Sequence, residues 1–377
     1  METESPFIPL ARCALTGAPA PEMAVDPAAE PTLYQLAQRH DLAHLVGYAL
    51  QQQAIPHNQR WDAAQMRAMF RYESLHYEYN RIRACLEQAA IPFIPLKGSV
   101  LRQLYPQPWM RTSCDIDVLV PPQRLDEAVA VLTADGWTVH GDKNYHDISL
   151  FSAGGVHLEL HFSLRENREH LDRVLDRVWE HSAPLSPEGY EHRMSDAFLL
   201  FHLLAHMAYH FSEGGCGVRS FMDIYLLKRC ADYSEDALQE LCRQAHIALF
   251  AARAFDLSEH WFGDGPADDL IRQMGDFVLS GGSYGTLKNR VMLDRARAGG
   301  KWRNLLHRLF MPHKQLKLKY PLLQRHPYLC PLFQVVRWWQ TLTGSGLRLA
   351  GQELQLNNTA DPESLRRATL FLQELGL

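Results

Sequence analysis

The chain has 377 residues, of which 46% are hydrophobic and 21% charged, a balance that fits a soluble protein with room for two or three domains. Its formal net charge is -5 and its pI is near 6.4, so no global charge recruits DNA or a membrane surface. Seven scattered cysteines without a C-x-x-C pair read as free thiols in a reducing cytoplasm. Glu2 and Glu4 stand where a signal peptide carries basic residues, and the most apolar stretch, "AFLLFHLLAHMAYHF", is too short for a membrane span.

Residues 1–31 are rich in Ala, Pro and Glu without periodicity and are expected to be loosely ordered. From "PTLYQLAQRHDLAHLVGYALQQQ" onward, apolar residues return every three to four positions. A longer helix follows through "RWDAAQMRAMFRYESLHYEYNRIRACLEQAA", giving an N-terminal helical segment over 32–90. The pattern changes in 91–165. "IPFIPL" reads as a short strand leading to Lys97, Gly98 and Ser99, "SVLRQLYP" as a helix and "DIDVLV" as a strand. "LDEAVAVLTADG" reads as a helix closed by Gly136. "WTVH", "DISLFSA" and "VHLELHFSL" are strand candidates, the last two joined by a turn at Gly154 and Gly155. Residues 166–377 read as a helical C-terminal region.

Asp115 and Asp117 fall on one face of their strand, with Ile116 and Val118 on the other. Two carboxylates this close repel, and ionising both in an enclosed site is costly. A divalent cation removes that cost, and hard oxygen ligands suit Mg²⁺. The bland alternative is a solvated edge face. In "VHLELHF", His157, Glu159 and His161 share one face, so Glu159 is a third carboxylate on a strand that can lie beside the first. Upstream, Lys97-Gly98-Ser99 sits between a strand and a helix, where glycine permits close backbone approach and a helix start offers N–H groups to phosphate. Three acids on neighbouring strands with a Gly-Ser turn are a layout for two-metal phosphoryl transfer.

The order Gly-Ser, Asp-x-Asp, then an acid on a later strand resembles the polymerase-beta-like nucleotidyltransferase superfamily. More closely, "IPFIPLKGSVLRQLYP", Arg111, "DIDVLV", "LTADGW" and "HLELHF" resemble the bacterial uncharacterised nucleotidyltransferase family. The likeness reaches "LLFHLLAHMAYHF", "VRSFMDIYLL" and "YPLLQRHPYLCPLF", covering roughly residues 33 to 340. Glu159 stands where that family more often has Asp, and Phe162 where it often has Trp. The resemblance implies an α+β fold, in which a small mixed-sheet nucleotidyltransferase core is flanked by the N-terminal helices and the large helical C-terminal region. It also implies that Asp115, Asp117 and Glu159 are catalytic and hold Mg²⁺ or Mn²⁺, with Glu159 either a ligand or the base.

Other residues carry two readings each. Lys97, Gly98 and Ser99 can bind the nucleotide, though a turn lysine is commonly just solvated. Arg111 can bind phosphate or clamp Asp115 or Asp117. His161 can orient Glu159 by a hydrogen bond or simply pack. His202, His206 and His210 stack along one side of a helix, where they can pack on the core near the nucleotide or hold zinc. Arg219 and Asp223, one turn apart, can be a simple ion pair or, as the resemblance of "VRSFMDIYLL" implies, help shape an acceptor pocket. Residues 288–325 hold eleven basic residues against Asp294 alone, a net of +10, and can contact phosphate or tRNA.

The expected activity is metal-dependent transfer of NMP from an NTP to a hydroxyl or phosphate, on a small molecule or modified peptide. Transfer to tRNA or protein, as in toxin-like relatives, and non-catalytic nucleotide binding are the alternatives.

Overall fold

Alternation of polar and apolar residues in "DIDVLV" and "VHLELHF" builds the two central strands of a five-stranded sheet. The computed structural model describes residues 5–19, 28–141, 143–283, 322–343 and 362–377, with single positions between 289 and 320. The strands are β1 (Ile94–Pro95), β2 (Asp115–Leu119), β3 (Thr138–Val139), β4 (Asp147–Phe151) and β5 (His157–His161), in the order β1-β2-β5-β4-β3. β2 and β5 run parallel, and the other pairs are antiparallel. The sheet is mixed and the fold is α+β, as the sequence implies.

Twelve helices precede or flank this sheet among the described residues up to 281. The N-terminal ones are α1 (Phe7–Thr16), α2 (Glu30–Arg39), α3 (Ala43–Gln52) and α4 (Gln59–Gln88). The single turn α5 (Gly98–Leu101) follows β1, and α6 (Leu125–Ala134) crosses from β2 toward β3. After the sheet come α7 (Glu169–Leu175), α8 (Asp196–Glu213), α9 (Val218–Cys230), α10 (Glu235–Gln244) and α11 (Ala248–Phe262), then α12 (Asp269–Gly281). None of the described helices is long and apolar enough to cross a membrane.

Two large apolar clusters organise these elements. Ile116, Val118, Leu158 and Leu160 point to the back of the sheet and pack with Leu125, Ala128 and Leu132 of α6 and with Leu75, Ile82 and Leu86 of α4. The second cluster joins α1–α3 to α8–α12, and the first half of α4 enters it through Trp61, Ala64 and Ala68. α4 is thus one continuous 30-residue helix shared by both clusters, about 45 Å long at 1.5 Å per residue. Asn58 caps its start by accepting from the Arg60 N–H at 3.1 Å.

The structure departs from the sequence expectation at three places. Residues 7–16, expected to be loose, form α1, with Phe7 and Ala11 fully buried against the helical cluster. Pro9 falls in the first turn, where a missing N–H costs nothing, and Gly17 ends the helix at φ 72°. "SVLRQLYP" is only the single turn α5 and a 3₁₀ turn at Arg102–Leu104. The C-terminal region also contains a small hairpin, β6 (Ser182–Pro184) with β7 (His192–Met194), whose prolines and glycine hide it from periodicity. This hairpin is stitched to the core. Phe93 N–H donates to the Tyr190 carbonyl at 2.9 Å, and His192 N–H donates to the Phe93 carbonyl at 2.7 Å. The Glu87 carboxylate accepts from the backbone of both Tyr190 and Glu191 at 2.9 Å.

If α1 holds the helical cluster, Phe7→Ala should destabilise the protein by about 3–5 kcal/mol, the range for emptying a buried aromatic site. Urea unfolding reads this directly. An unchanged midpoint would mean that α1 does not contribute to the core.

Candidate active site

The parallel register of β2 and β5 decides which side chains meet. Asp115 lies opposite His157, Asp117 opposite Glu159 and Leu119 opposite His161. Neighbouring strands are about 4.8 Å apart, so the polar face gathers all three acids and two histidines. Ligand atoms of Asp115, His157 and Glu159 lie within 4.8 Å of one another, as do those of Asp117, Glu159 and His161. Glu159 belongs to both groups. The donors are carboxylate oxygens and imidazole nitrogens, which fit a divalent cation.

Lys97 reaches this face from the loop between β1 and α5. Its backbone has φ 42° and ψ -112°, an unusual conformation for a residue with a side chain. Gly98 follows for a steric reason: a Cβ there would lie 3.1 Å from Ser113 Oγ. Lys97 Nζ donates to Asp117 Oδ1 at 2.9 Å. His161 Nε2 contacts the same oxygen at 3.1 Å and Glu159 Oε2 at 3.4 Å.

These contacts set the protonation pattern. Burial alone would raise the Asp117 carboxyl, but the Lys97 ammonium and the His161 imidazole outweigh it and hold it far below the usual range. Burial and then the charges of Asp117 and Glu159 push Asp115 upward. The hydrogen bond from His161 lowers Glu159 against the effect of burial. Burial opposes charge on His161, yet its bonds to Asp117 and Glu159 lift it to about 9, so it is cationic at neutral pH. Two cations therefore face three acids.

A second network fixes the loop before β2. The sequence suggests that Arg111 meets phosphate or clamps Asp115 or Asp117. It instead grips Asp223, with Nε–Oδ1 and Nη2–Oδ2 distances of 2.9 Å each. Tyr105 donates to Asp223 Oδ1 at 2.7 Å, and Arg111 Nη1 donates to the Thr112 carbonyl at 2.8 Å. Asp223 is thereby satisfied, and the expected Arg219–Asp223 pair does not form. Arg219 Nη1 turns to the Thr112 carbonyl at 2.9 Å and to Asp41 Oδ2 at 3.2 Å. Arg102 braces the same loop, donating to the Gly98 carbonyl at 2.6 Å and to Ser113 Oγ at 3.2 Å.

Facing the sheet, α8 supplies the other wall. Ser195 caps it by accepting from Phe198 N–H. His206 Nδ1 lies 2.7 Å from Glu166 Oε1, and His206 and His210 pack with ring centroids 4.3 Å apart. Burial pushes His202 down to about 3. The groups of three that can hold a metal lie on β2 and β5, among the described residues, and not on α8. His146 stacks on His161 at 5.5 Å.

Together these walls enclose a cavity of about 410 Å³. It brings together Asp115, Asp117, Glu159, Lys97, Gly98, Arg111, His161, His206, His210, Arg219 and Asp223. Ser99 is the exception. The turn of α5 rotates it away, and it lines a separate small pocket with Tyr72, Tyr79 and Arg102. Ser113 and Cys114 take the place at the cavity that the sequence gives to Ser99. Sequence reading also missed Tyr145, His146 and Glu166, which belong to no motif and reach the cavity only through the fold. The basic stretch 288–325 lies outside the described residues, apart from isolated positions and the helical turn Leu322–Arg325.

Two measurements test this electrostatic arrangement. Asp223→Ala strands a buried guanidinium and should cost about 3–5 kcal/mol in chemical denaturation. A loss below about 1 kcal/mol would place the pair with exposed ones. His202 is almost fully buried, and its folded value of about 3 lies below the ordinary 6.5. The unfolded chain therefore takes up a proton first as pH falls. Stability should drop between pH 6.5 and about 3, by up to about 1.4 kcal/mol per pH unit from this group. His202→Leu should flatten that slope in melting curves between pH 7 and 5, and an unchanged slope would count against a buried neutral imidazole.

The family model of the uncharacterised nucleotidyltransferases matches residues 26–263. It ends short of residue 340, where the resemblance read from the sequence stops, yet it spans all the cavity residues except Ser283. No curated protein and no solved structure matches the chain. With well over half its length matched, and the acids, Lys97 and Gly98 gathered on one sheet face, the chain belongs to the uncharacterised nucleotidyltransferase family.

Proposed function

We propose that the protein is a Mg²⁺-dependent nucleotidyltransferase, with Mn²⁺ able to substitute, that moves NMP from an NTP to a hydroxyl or phosphate of a small molecule or modified peptide. The observation that carries this reading is the register of β2 and β5, which sets Asp117 beside Glu159 with Asp115 one step along, at a part-open cavity. Asp115, Asp117 and Glu159 would hold the metal. A cation there supplies charge neutralisation for the triphosphate and polarises its α-phosphorus.

The chain's own groups do the rest. Lys97 would face the phosphates, with Gly98, Ser113 and Cys114 beside it. His161 pins Asp117 and Glu159 in place. Glu159, kept ionised by His161, suits a ligand better than a proton acceptor. Arg111, Asp223 and Arg219 act by fixing the loop before β2. The wall formed by His206, His210, Glu166 and Tyr145 offers polar contacts to an acceptor. In the transfer, the acceptor oxygen bonds to the α-phosphorus as the bond to pyrophosphate breaks, and a hydroxyl acceptor's proton passes to solvent. A part-open cavity of about 410 Å³ suits a nucleotide with a small acceptor group.

Incubation of the protein with each α-labelled NTP, Mg²⁺ or Mn²⁺ and a cell extract tests the reading. Label in a small molecule or peptide is expected. Label in RNA or in intact protein would favour the tRNA or toxin-like alternative, and no label with retained NTP binding would favour a binding protein. Asp117→Asn should lower transfer by roughly 10²-fold or more, the scale for losing one preorganised electrostatic group. Because the amide is nearly isosteric, circular dichroism should be unchanged. Near-wild-type transfer would remove Asp117 from the catalytic set.

A further inference from the structure

Asp117 Oδ1 already has two partners, the Lys97 ammonium at 2.9 Å and His161 Nε2 at 3.1 Å. Lys97 also lies within electrostatic reach of Glu159 and Asp115, so its ammonium sits among the same acids that would surround a metal. A divalent ion arriving at Asp117 meets this charge and must expel it. The backbone of Lys97 is fixed, because its carbonyl accepts from Val100 N–H at 3.2 Å and Leu101 N–H at 2.9 Å. Its side chain is not fixed in the same way. The stem is long and flexible, and the ammonium is a point charge without a required bonding plane.

We infer that Lys97 is a placeholder cation, which occupies the position of a divalent ion at Asp117 until a triphosphate draws it away. The inference rests on the metal-binding reading of Asp115, Asp117 and Glu159. A metal alone has to displace the ammonium and leave it beside another positive charge. A metal arriving with a nucleotide brings anionic oxygens to which the ammonium can turn. Lys97 thereby ties metal entry to nucleotide entry, and by linkage each favours the other. Before substrate arrives, the same ammonium offsets the repulsion among the three acids, so the site is preformed without a metal.

The test is Mn²⁺ binding without nucleotide, followed by the electron paramagnetic resonance signal of free Mn²⁺. The wild type should bind weakly. Lys97→Gln removes the competing charge and should bind Mn²⁺ roughly tenfold tighter or more, although a lysine acting only as a structural prop would give unchanged or weaker binding on removal. Adding Asp117→Asn to Lys97→Gln should abolish the gain. A second measurement needs no variant: reductive methylation of the wild type, read by mass spectrometry, should modify Lys97 faster when Mn²⁺ is saturating. Mn²⁺ binding that is equal in wild type and Lys97→Gln, or a Lys97 methylation rate unaffected by Mn²⁺, would overturn the placeholder role while leaving the metal site intact. Absence of Mn²⁺ binding in every form, with NTP present or absent, would remove the metal-binding reading and this inference with it.

Discussion

Three carboxylates on one sheet face, Asp117 buried and the other two half-buried, repel one another, and much of the surrounding structure answers that repulsion. Asp115, Asp117 and Glu159 cannot separate, because the β2–β5 register holds them. Compensation has to come from outside the strands. Lys97 supplies one charge through a backbone conformation that few side-chain-bearing residues adopt, and His161 supplies another from within β5. Burial makes each attraction stronger than it would be in water, and would make any missing partner correspondingly costly.

Around this centre, loops are held by long-range polar contacts. Arg111 and Asp223 are 112 positions apart in sequence, yet they form the bidentate pair that fixes the turn into β2. Arg102 joins Gly98 to Ser113, so the two segments that border the acids are tied together. Arg219 ties Thr112 to Asp41 at the end of α2. The candidate site is therefore assembled from the N-terminal helices, the sheet and the C-terminal helices together.

This explains what the sequence could and could not reveal. Asp115, Asp117 and Glu159 were legible because strand alternation is a local rule, and both strands obey it cleanly. Lys97 and Gly98 were legible as a junction between a strand and a turn. Ser99 was misplaced because one residue of helical rotation moves a side chain to another face, and the extent of α5 is not written in its composition. Arg219 and Asp223 satisfied a local spacing rule, but a distant arginine and Tyr105 took the carboxylate first. Glu166, Tyr145 and His146 carry no periodic signal, and tertiary packing alone brings them to the cavity. In α1, apolar spacing was present at Phe7, Leu10, Ala11 and Ala14, but the composition of the neighbouring residues obscured it.

The shared helix α4 has a consequence for how substrates enter. Its first half is built into the helical cluster and its second half into the back of the sheet, without a break between them. One unbroken helix packed into both clusters resists a swing of one cluster against the other. Hinge closure of the kind that wraps many nucleotide enzymes around their substrates needs such a swing. Motion at the cavity is therefore left to the loops and side chains that line it rather than to the two clusters as bodies.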